Sequence, residues 1–387
     1  MIPVQELSDG EIVKLNSDKF VFKLSSYKGN PILKPQDFGL VWEENGKHRT
    51  GAIFNGGAEL YNNKIILTPR CHKRYNRVKS FDSQSGTDRY CLDNYLSEIW
   101  ILESEDGVHF NRFNNLVIRG DGVEHRDFIY GIEDIRITRY SDFYWLMGCG
   151  KLKPPFKGGN ADRIAIYSTK DFSNIKYHGM VSYFDTRNAV LFSDGMDNEL
   201  YLLLVFYPNI HLAKIRADQL LNPTGYESEW KSIYRHRNSN LLIKAGEYLH
   251  EGEKIGAGPP PIKTERGWLL IYHSVGELSP DICKLYGVSG KIKRGYSVCV
   301  ALLDLDARCK VIARTNTPVY IPSAPYELYG DAEYPVDIPA VVFPVGAIVI
   351  DNKLLLYCGA GDKYTILLSC DINKLVNYLI EYCSVRT

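Results

Sequence analysis

The stretch Gly267-Trp-Leu-Leu-Ile-Tyr-His273, with the later stretch Ser297-Val-Cys-Val-Ala-Leu-Leu-Asp304, contains the pattern that decides the fold. Each stretch is an apolar run of strand length that includes β-branched or aromatic residues. A turn residue opens the first run, which ends in aromatic and polar residues, and the second run closes at an aspartate. The two stretches therefore predict one antiparallel hairpin.

The same pair of runs recurs five times, at separations of about 55 to 85 residues. The predicted first strands are Lys64–Arg70, Phe143–Met147, Glu199–Leu204, Gly267–His273 and Lys353–Tyr357. Their predicted partners are Glu98–Gly107, Arg163–Asp171, Leu212–Asp218, Ser297–Asp304 and Tyr364–Asp371. Five such sheets fit a five-bladed β-propeller, in which radial repetition suppresses exposed edges. A two-sheet sandwich is the principal rival, but it does not explain the fivefold recurrence.

The composition agrees with an all-β chain made of many short strands. The 387 residues include 27 Tyr, 15 Phe, 32 Gly and 18 Pro, which is a mixture of strand formers and turn residues. We expect residues 1–387 to form a single five-bladed β-propeller domain. Helical spacing of apolar residues predicts one short C-terminal helix over Asp371–Ile380, with the aspartate at its start.

Charge and cysteine content limit the classes of partner. The 46 basic and 46 acidic residues cancel, which argues against nucleic acid as the main partner. No run approaches the roughly 20 apolar residues that span a bilayer, and no apolar leader follows Met1, so we expect a soluble cytoplasmic protein. Nine cysteines without a C-x-x-C pair suggest neither a disulfide framework nor a zinc site.

The string Gly131-Ile-Glu-Asp-Ile-Arg-Ile-Thr138 places two acids and an arginine between apolar residues at the mouth of a strand. Carboxylates in that position should face a cleft. A carboxylic acid kept protonated in a partly buried site can donate a proton to a departing glycosidic oxygen. The alternative interpretation is that Asp134 and Arg136 form a structural ion pair at the strand end.

Other short motifs accompany this string along the chain. They are Phe54-Asn55, Arg70, Arg187-Asn188, Lys254-Ile-Gly-Ala-Gly-Pro-Pro-Pro-Ile262 and the strand that ends at His273. In kind, order and approximate separation, over roughly residues 35 to 372, the set resembles the motifs of glycoside hydrolase family 130. That family comprises the mannoside phosphorylases and their hydrolytic relatives.

The resemblance implies a role for each matching residue. Asp134 matches the general acid of the family. The residues matched to substrate contacts are Asn55, Arg70, Arg136, Asn188 and Asp362. Glu98, which stands where the family often has an arginine, is also predicted to bind substrate. The residues matched to phosphate contacts are Arg70, Arg187, Lys254 and His273. No metal or organic cofactor is implied, and inorganic phosphate would be the co-substrate.

The charges of the matched residues support phosphate independently. Inorganic phosphate carries up to two negative charges, which arginine, lysine and histidine side chains can neutralise through charge-assisted hydrogen bonds. An inverting hydrolase would instead need a second carboxylate, about 6.5 to 9.5 Å from the acid, to activate water. The four matched cationic residues therefore favour phosphate as the nucleophile.

Glu98 departs from the family pattern, which often has Ser-Arg where this chain has Ser97-Glu98. An anion beside a phosphate pocket would repel phosphate. Three arrangements are open: Glu98 turns outward, it pairs with Arg70, or it serves as a base for water or an acceptor hydroxyl. Two family prolines are also replaced, by Gly56 and Ile135.

These observations predict an inverting β-mannoside phosphorylase that converts a terminal β-mannosyl unit and phosphate into α-D-mannose 1-phosphate, reversibly. Its partners would be a β-mannoside oligosaccharide, or mannose 1-phosphate with an acceptor sugar, without nucleic acid or membrane; an oligomer is possible. Alternatives on the same fold are an inverting β-mannosidase and a β-mannosyltransferase using a sugar nucleotide. A non-catalytic carbohydrate-binding propeller is the alternative from another class.

Overall fold

A computed structural model describes residues 7–385 except 16, 18, 75, 83–86, 94, 120–126, 154–160, 196–198, 332–333 and 336–338. Five antiparallel sheets are arranged as the blades of a five-bladed β-propeller. From the fifth blade through the first to the fourth, the first strand of each blade contacts the first strand of the next, so these strands form the inner ring. Between the fourth and fifth blades, the first strand of the fifth contacts the second and third strands of the fourth. The predicted fold is confirmed.

The strand bounds are as follows, from the inner strand outward. Blade 1 contains Ala52–Tyr61, Lys64–His72, Glu98–Ser104 and Asn111–Arg119. Blade 2 contains Ile132–Tyr140, Phe143–Lys151, Asp162–Thr169 and Lys176–Val181. Blade 3 contains Arg187–Leu191, Glu199–Phe206, Asn209–Arg216 and Leu241–Ile243. Blade 4 contains Lys254–Ala257, Gly267–Glu277, Arg294–Leu303 and Val311–Arg314, with Ile262–Thr264 also paired to its second strand. Blade 5 contains Val342–Ile350, Lys353–Ala360, Tyr364–Asp371 and Ser25–Ser26.

The hairpins predicted from the sequence are the two middle strands of each blade. Both faces of these strands are packed against other blades. Successive residues along a strand point to opposite faces and so contact different adjacent blades. In blade 5, Leu354 and Leu356 pack in a cluster with blade 4, whereas Leu355 and Tyr357 pack in a cluster with blade 1. Burial on both faces explains the continuous apolar runs, and it distinguishes blades from the sheets of a sandwich, which bury one face.

The ring is closed by both ends of the chain. The early strand Ser25–Ser26 pairs antiparallel with Tyr364–Asp371, so the N-terminal region supplies the outer strand of the last blade. Immediately after that blade, the helix Ile372–Tyr382 packs on the cluster between blades 4 and 5. Asp371 caps this helix by accepting a hydrogen bond from the Lys374 backbone N–H at 2.8 Å. The predicted C-terminal helix is confirmed.

Short elements decorate the blades. The remaining α-helices described are Ala217–Leu221, Glu227–Arg235, Pro280–Leu285 and Pro325–Tyr329. Short 3₁₀ helices span Pro35–Phe38, Pro223–Tyr226 and Leu249–Glu251. Two-stranded ribbons pair Glu11–Lys14 with Phe20–Lys23, Val41–Glu44 with Lys47–Thr50, Asn76–Asp82 with Thr87–Asp93, and Gly330–Asp331 with Tyr334–Pro335. Within the described residues, none of the helices has the length and apolar character that crossing a bilayer requires.

Candidate active site

Three inner strands break their register at the same level of the propeller. The pairing shifts between Phe54 and Gly57 in blade 1, between Glu133 and Arg136 in blade 2, and between Arg187 and Val190 in blade 3. In these bulges Asn55, Asp134 and Asn188 have φ values of 53°, 52° and 56°. Asparagine and aspartate tolerate this left-handed conformation better than most residues. Bulges re-aim side chains, so three blades present polar groups to one cleft.

Asp134 is buried in the cleft and is held by a neutral partner. Its Oδ1 accepts a hydrogen bond from Asn55 Nδ2 at 2.9 Å. Two arginines stand slightly farther away: Arg70 Nη1 lies 3.4 Å from Oδ1, and Arg187 Nη2 lies 3.6 Å from Oδ2. The carboxyl group predicted as the general acid is therefore fixed by an amide and flanked by two guanidinium groups.

Glu133 lies beside Asp134 and is fully enclosed. Its Oε2 is 3.0 Å from Arg70 Nη1 and also contacts Arg187 Nη2, and its Oε1 accepts from the Tyr95 hydroxyl. Glu133 belongs to the string Gly131–Thr138, but the sequence alone predicts no role for it. Tyr95 lies in a loop outside every motif that was recognised. Only the three-dimensional arrangement joins them to the site.

A third buried carboxylate continues this charged row. Asp162 Oδ1 forms an ion pair with Lys151, and its Oδ2 lies 3.6 Å from Arg187 Nε. Arg187 therefore faces three acids, with Glu133 and Asp134 near its Nη2 and Asp162 near its Nε. Lys151 and Asp162 were also missed from the sequence, because they are paired across the two middle strands of blade 2 and belong to no recognised motif.

Blade 4 brings Lys254 and His273 to the same cleft, on its first and second strands. Gly256 makes this possible, because a Cβ there would lie 2.3 Å from His273 Cε1 and 3.2 Å from Asn188 Nδ2. The Lys254 ammonium lies 5.1 Å from the centre of the Tyr296 ring and forms no ion pair with any carboxylate that the structure describes. Lys254 is thus a cation available to an anionic ligand.

His273 is buried against Phe343, with ring centres 4.4 Å apart. Burial, reinforced by the positive charges of Lys254, Arg136 and Arg187, holds the pKa of His273 well below its usual range. The imidazole is consequently neutral. The expectation from the sequence that His273 is one of four cationic residues in the phosphate pocket is therefore corrected. The positive charge of the cleft comes from the lysine and the arginines, and His273 can add an uncharged hydrogen bond.

The guanidinium group of Arg136 donates hydrogen bonds to backbone carbonyl groups. It donates to the backbone carbonyls of Asp134 at 2.7 Å, Ala257 at 3.2 Å and Gly258 at 3.2 Å. These bonds tie the inner strand of blade 2 to blade 4. The alternative of a structural ion pair with the Asp134 carboxylate does not match these contacts. A direct contact between Arg136 and substrate stays a prediction.

Glu98 is buried and occupied by other partners. It lies opposite Cys71 in the ladder, its Oε2 is 3.1 Å from Lys73 Nζ, and it accepts from Trp100 Nε1 at 3.2 Å. Arg119 Nη1 lies 3.7 Å from Oε1. Of the three arrangements considered, the outward one is observed, since neither Arg70 nor Asp134 is among these contacts.

Asp362 lies in the turn between the second and third strands of blade 5, with a φ of 50°. Burial raises the pKa of Asp362 to about 6, although the charge of Arg70 opposes the rise and Asp134 adds to it. The Asp362 carboxyl therefore lies within electrostatic range of the acid and the arginine. Its contact with the sugar stays a prediction.

Asp362→Asn is expected to raise the unfolding temperature at pH 8. A raised pKa means that the folded state binds the proton more tightly than the unfolded chain, so ionisation above about pH 6 favours unfolding. The stabilisation should vanish near pH 4, where the folded wild-type protein already holds the proton. Thermal unfolding of both proteins at both pH values tests this. If the two unfolding temperatures differed by the same amount at pH 4 and pH 8, burial of an ionised Asp362 would not be the cause.

Several buried polar atoms of the cleft have no hydrogen-bond partner among the described residues. They are Asn55 Oδ1, Arg70 Nε, Asn188 Oδ1 and His273 Nδ1. Buried polar groups are normally satisfied, so four such atoms around one cleft fit a place where a polar ligand binds. No group of three or more histidine, cysteine, aspartate and glutamate side chains within the described ranges could hold a metal ion.

Comparison with known proteins gives the same family that the sequence motifs resemble, and the match extends along nearly the whole chain. Residues 23–381 match the model of glycoside hydrolase family 130, described as beta-1,4-mannooligosaccharide phosphorylase. The chain is similar to the beta-1,2-mannobiose phosphorylase of Thermoanaerobacter sp. (strain X514), with 29% identity over 89% of this chain and 96% of the relative. A beta-1,2-mannobiose phosphorylase of Listeria innocua is 28% identical over 89% of this chain and 95% of the relative.

A solved structure shares the fold. The Listeria innocua beta-1,2-mannobiose phosphorylase in complex with beta-1,2-mannobiose superposes with a TM-score of 0.62 and 21% identity. The superposition covers 92% of this chain and 99% of that one. With the family model matching most of its length, this five-bladed chain belongs to glycoside hydrolase family 130.

Proposed function

We propose that this protein is an inverting β-mannoside phosphorylase. Phosphate oxygen forms a bond to C1 of a terminal β-mannosyl unit while the bond from C1 to the glycosidic oxygen breaks. The departing oxygen takes up the proton that Asp134 supplies. Attack on the face opposite the leaving group gives α-D-mannose 1-phosphate. In enzyme classes this is hexosyl transfer to phosphate.

The observation that carries the proposal is the cation set that faces the acid. Arg187 reaches toward Asp134, and Lys254 stands in the same cleft without a described carboxylate partner. An unpaired ammonium beside guanidinium groups favours a multiply charged anion, and inorganic phosphate is an anion that can also attack carbon. The unsatisfied atoms of Asn188 and His273 offer further hydrogen bonds to it.

The main alternative nucleophile is water, for which Glu98 could act as the base. The contacts of Glu98 with Lys73 and Trp100 engage this carboxylate away from the acid, which argues against a base at that position. A sugar nucleotide is a third possible co-substrate for this cleft. We favour phosphate without a metal or organic cofactor, and the location in a reducing cytoplasm stays a prediction.

The substrate class follows from the relatives. The family model is described by β-1,4-linked mannooligosaccharides, whereas the two relatives cited above are named for β-1,2-mannobiose. Because those relatives align over most of both chains, β-1,2-mannobiose is the first substrate to examine. β-1,4-Mannobiose is the matched comparison, since it changes the linkage alone.

The deciding assay runs in both directions. Each disaccharide is incubated with and without phosphate, and mannose 1-phosphate is measured. In reverse, mannose 1-phosphate is offered with a panel of acceptor sugars while phosphate release is followed. We expect cleavage only with phosphate and release only with an acceptor. No turnover of any β-mannoside would favour the non-catalytic alternative, and release of free mannose without phosphate would favour the hydrolase.

Glu98→Gln provides a separate test of the rival. The change removes the negative charge from the contact with Lys73 but leaves Asp134 and its partners untouched, so we expect a lower unfolding temperature with phosphate dependence retained. Initial rates at several phosphate concentrations, with thermal unfolding, measure both effects. If Glu98→Gln abolished a phosphate-independent cleavage, Glu98 would be the base of a hydrolase.

A further inference from the structure

Glu133 is the part of the site that the proposed reaction does not use. It lies next to the acid in sequence, is 1% exposed, and touches both guanidinium groups of the cleft. An enclosed carboxylate of this kind needs compensating charges, because leaving water is costly for an ion. Its position between two arginines and a proton donor makes it more than a strand-end residue.

The two arginines lie closer to Glu133 than to Asp134. Arg70 Nη1 is 3.0 Å from Glu133 and 3.4 Å from Asp134. Arg187 Nη2 forms a hydrogen bond with Glu133, whereas its 3.6 Å separation from Asp134 exceeds hydrogen-bond range. Within the described part of the chain, the only side chain that donates to the Asp134 carboxylate is Asn55.

This division of contacts matters because a general acid must hold a proton. Two guanidinium groups close to a lone carboxylate favour its ionised form, which cannot donate. A second carboxylate that engages those groups offsets them, and its own negative charge favours protonation of its neighbour. Asn55 is neutral, so its bond to Asp134 Oδ1 fixes the group without adding a further positive charge.

We propose that Glu133 is a positioning residue that holds the counter-charge of Arg70 and Arg187, and so leaves Asp134 able to carry the proton it donates. This inference rests on the proposed function, since it assumes that Asp134 is the acid. Glu133 itself need not touch the substrate. It acts through the two arginines and through its charge.

The charges around Glu133 agree with this division. Burial alone would raise the pKa of Glu133, but Arg70, Arg187 and Lys151 outweigh burial and hold that pKa well below its usual range. Glu133 therefore stays ionised while it pairs with the arginines. Among the described residues, Asp162 also shares Arg187, at 3.6 Å from its Nε. Further titratable or charged groups that act on the two acids or their arginines from neighbouring elements are His72, Tyr95, Arg136, Cys149 and Asp362.

The test is the pH profile of Glu133→Gln. Glutamine keeps the shape of the side chain but removes the negative charge. The positive charges of both arginines near Asp134 are then no longer offset by Glu133. The general acid should then lose its proton at lower pH, and the basic limb of kcat/KM should move down by about one unit or more. At neutral pH the rate should fall roughly tenfold, and it should recover toward the wild-type value on acidification.

Glu133→Asp is the matched control, because it keeps the charge and changes only the reach. It should lower the rate at all pH values while leaving the limb near its wild-type position. A purely structural Glu133 would give a uniform loss in both variants, with no movement of the limb, and that result would overturn the proposal. Thermal unfolding of each variant monitors folding.

Arg187→Gln extends the test if Glu133→Gln does not fold. Removing one cation near Asp134 should move the basic limb of kcat/KM to higher pH. If this limb did not move, the proposal that Glu133 offsets the arginine charges would be contradicted. Asp134→Asn separates this inference from the proposed function. If Asp134→Asn is inactive but neither limb moves, only the role of Glu133 fails; if Asp134→Asn stays active, the assignment of the acid itself fails.

Discussion

Asp134→Asn is expected to reduce phosphorolysis by at least roughly 10² to 10⁴-fold, the usual contribution of a general acid. The amide preserves the size of the side chain and can still bond Asn55 after a flip of either group, but it cannot deliver the proton that the leaving oxygen needs. Folding and mannoside binding should be nearly unchanged. Steady-state rates, thermal unfolding and calorimetric binding of the disaccharide measure the three quantities.

Asp185→Asn is the matched control for this experiment. Asp185 pairs with Arg163 and has a 56% exposed side chain, so the same change there should leave the rate close to that of the wild type. Substrates with ordinary alcohol leaving groups should be used, because a good leaving group needs little protonation. Near-native activity of Asp134→Asn on such substrates would transfer the role of acid to another residue.

Lys254→Met should raise the KM for phosphate by roughly 10- to 150-fold, as expected for the loss of a charge-assisted bond of about 1.5 to 3 kcal/mol. Methionine retains most of the length of the aliphatic stem and removes the charge, which lies 5.1 Å from the centre of the Tyr296 ring. The KM for the mannoside should change much less, because the lysine serves the nucleophile. Initial rates with each substrate varied separately measure the two constants.

Lys263→Met is the corresponding control on the neighbouring strand. Lys263 pairs with Asp194 and is 58% exposed, so its replacement should leave both constants unchanged. An equal rise of both constants in Lys254→Met would indicate a general disturbance of the cleft. A rise confined to the mannoside would place Lys254 against the sugar and not against phosphate.

The fold could be predicted because each blade repeats one local pattern. The apolar runs at Glu199–Phe206 and Gly267–Glu277 are buried on both faces, so they are continuous and easily read from the sequence. The inner strands were harder to recognise, because bulges interrupt them and polar residues replace apolar ones there. Short helices such as Glu227–Arg235 carry too few turns for a clear periodic signal.

The site was predictable where residues belong to recognised motifs and obscure where they support one another. Asn55, Asp134 and Asn188 were recognised through motifs, and the structure adds the reason for their residue types, which is the left-handed backbone of the bulges. Tyr95 and Asp162 serve the site only through partners distant in sequence. Pairings of that kind have no fixed spacing, so a single sequence does not reveal them.

His273 and Glu98 illustrate the same limit for charge. Residue type suggested a cationic imidazole and an anion that repels phosphate. Burial beside Lys254 makes His273 neutral, and the contacts with Lys73 and Trp100 engage Glu98 elsewhere. Protonation and direction depend on neighbours that the fold supplies, so these properties became visible only in three dimensions.

The central claim is that phosphate, not water, attacks C1. The most direct measurement is cleavage of β-1,2-mannobiose in water enriched in heavy oxygen, with phosphate present, followed by mass spectrometry of the products. We expect α-mannose 1-phosphate without heavy oxygen at C1, and no cleavage when phosphate is omitted. Free mannose carrying heavy oxygen at C1 straight from the cleavage step, formed at the same rate without phosphate, would contradict the account.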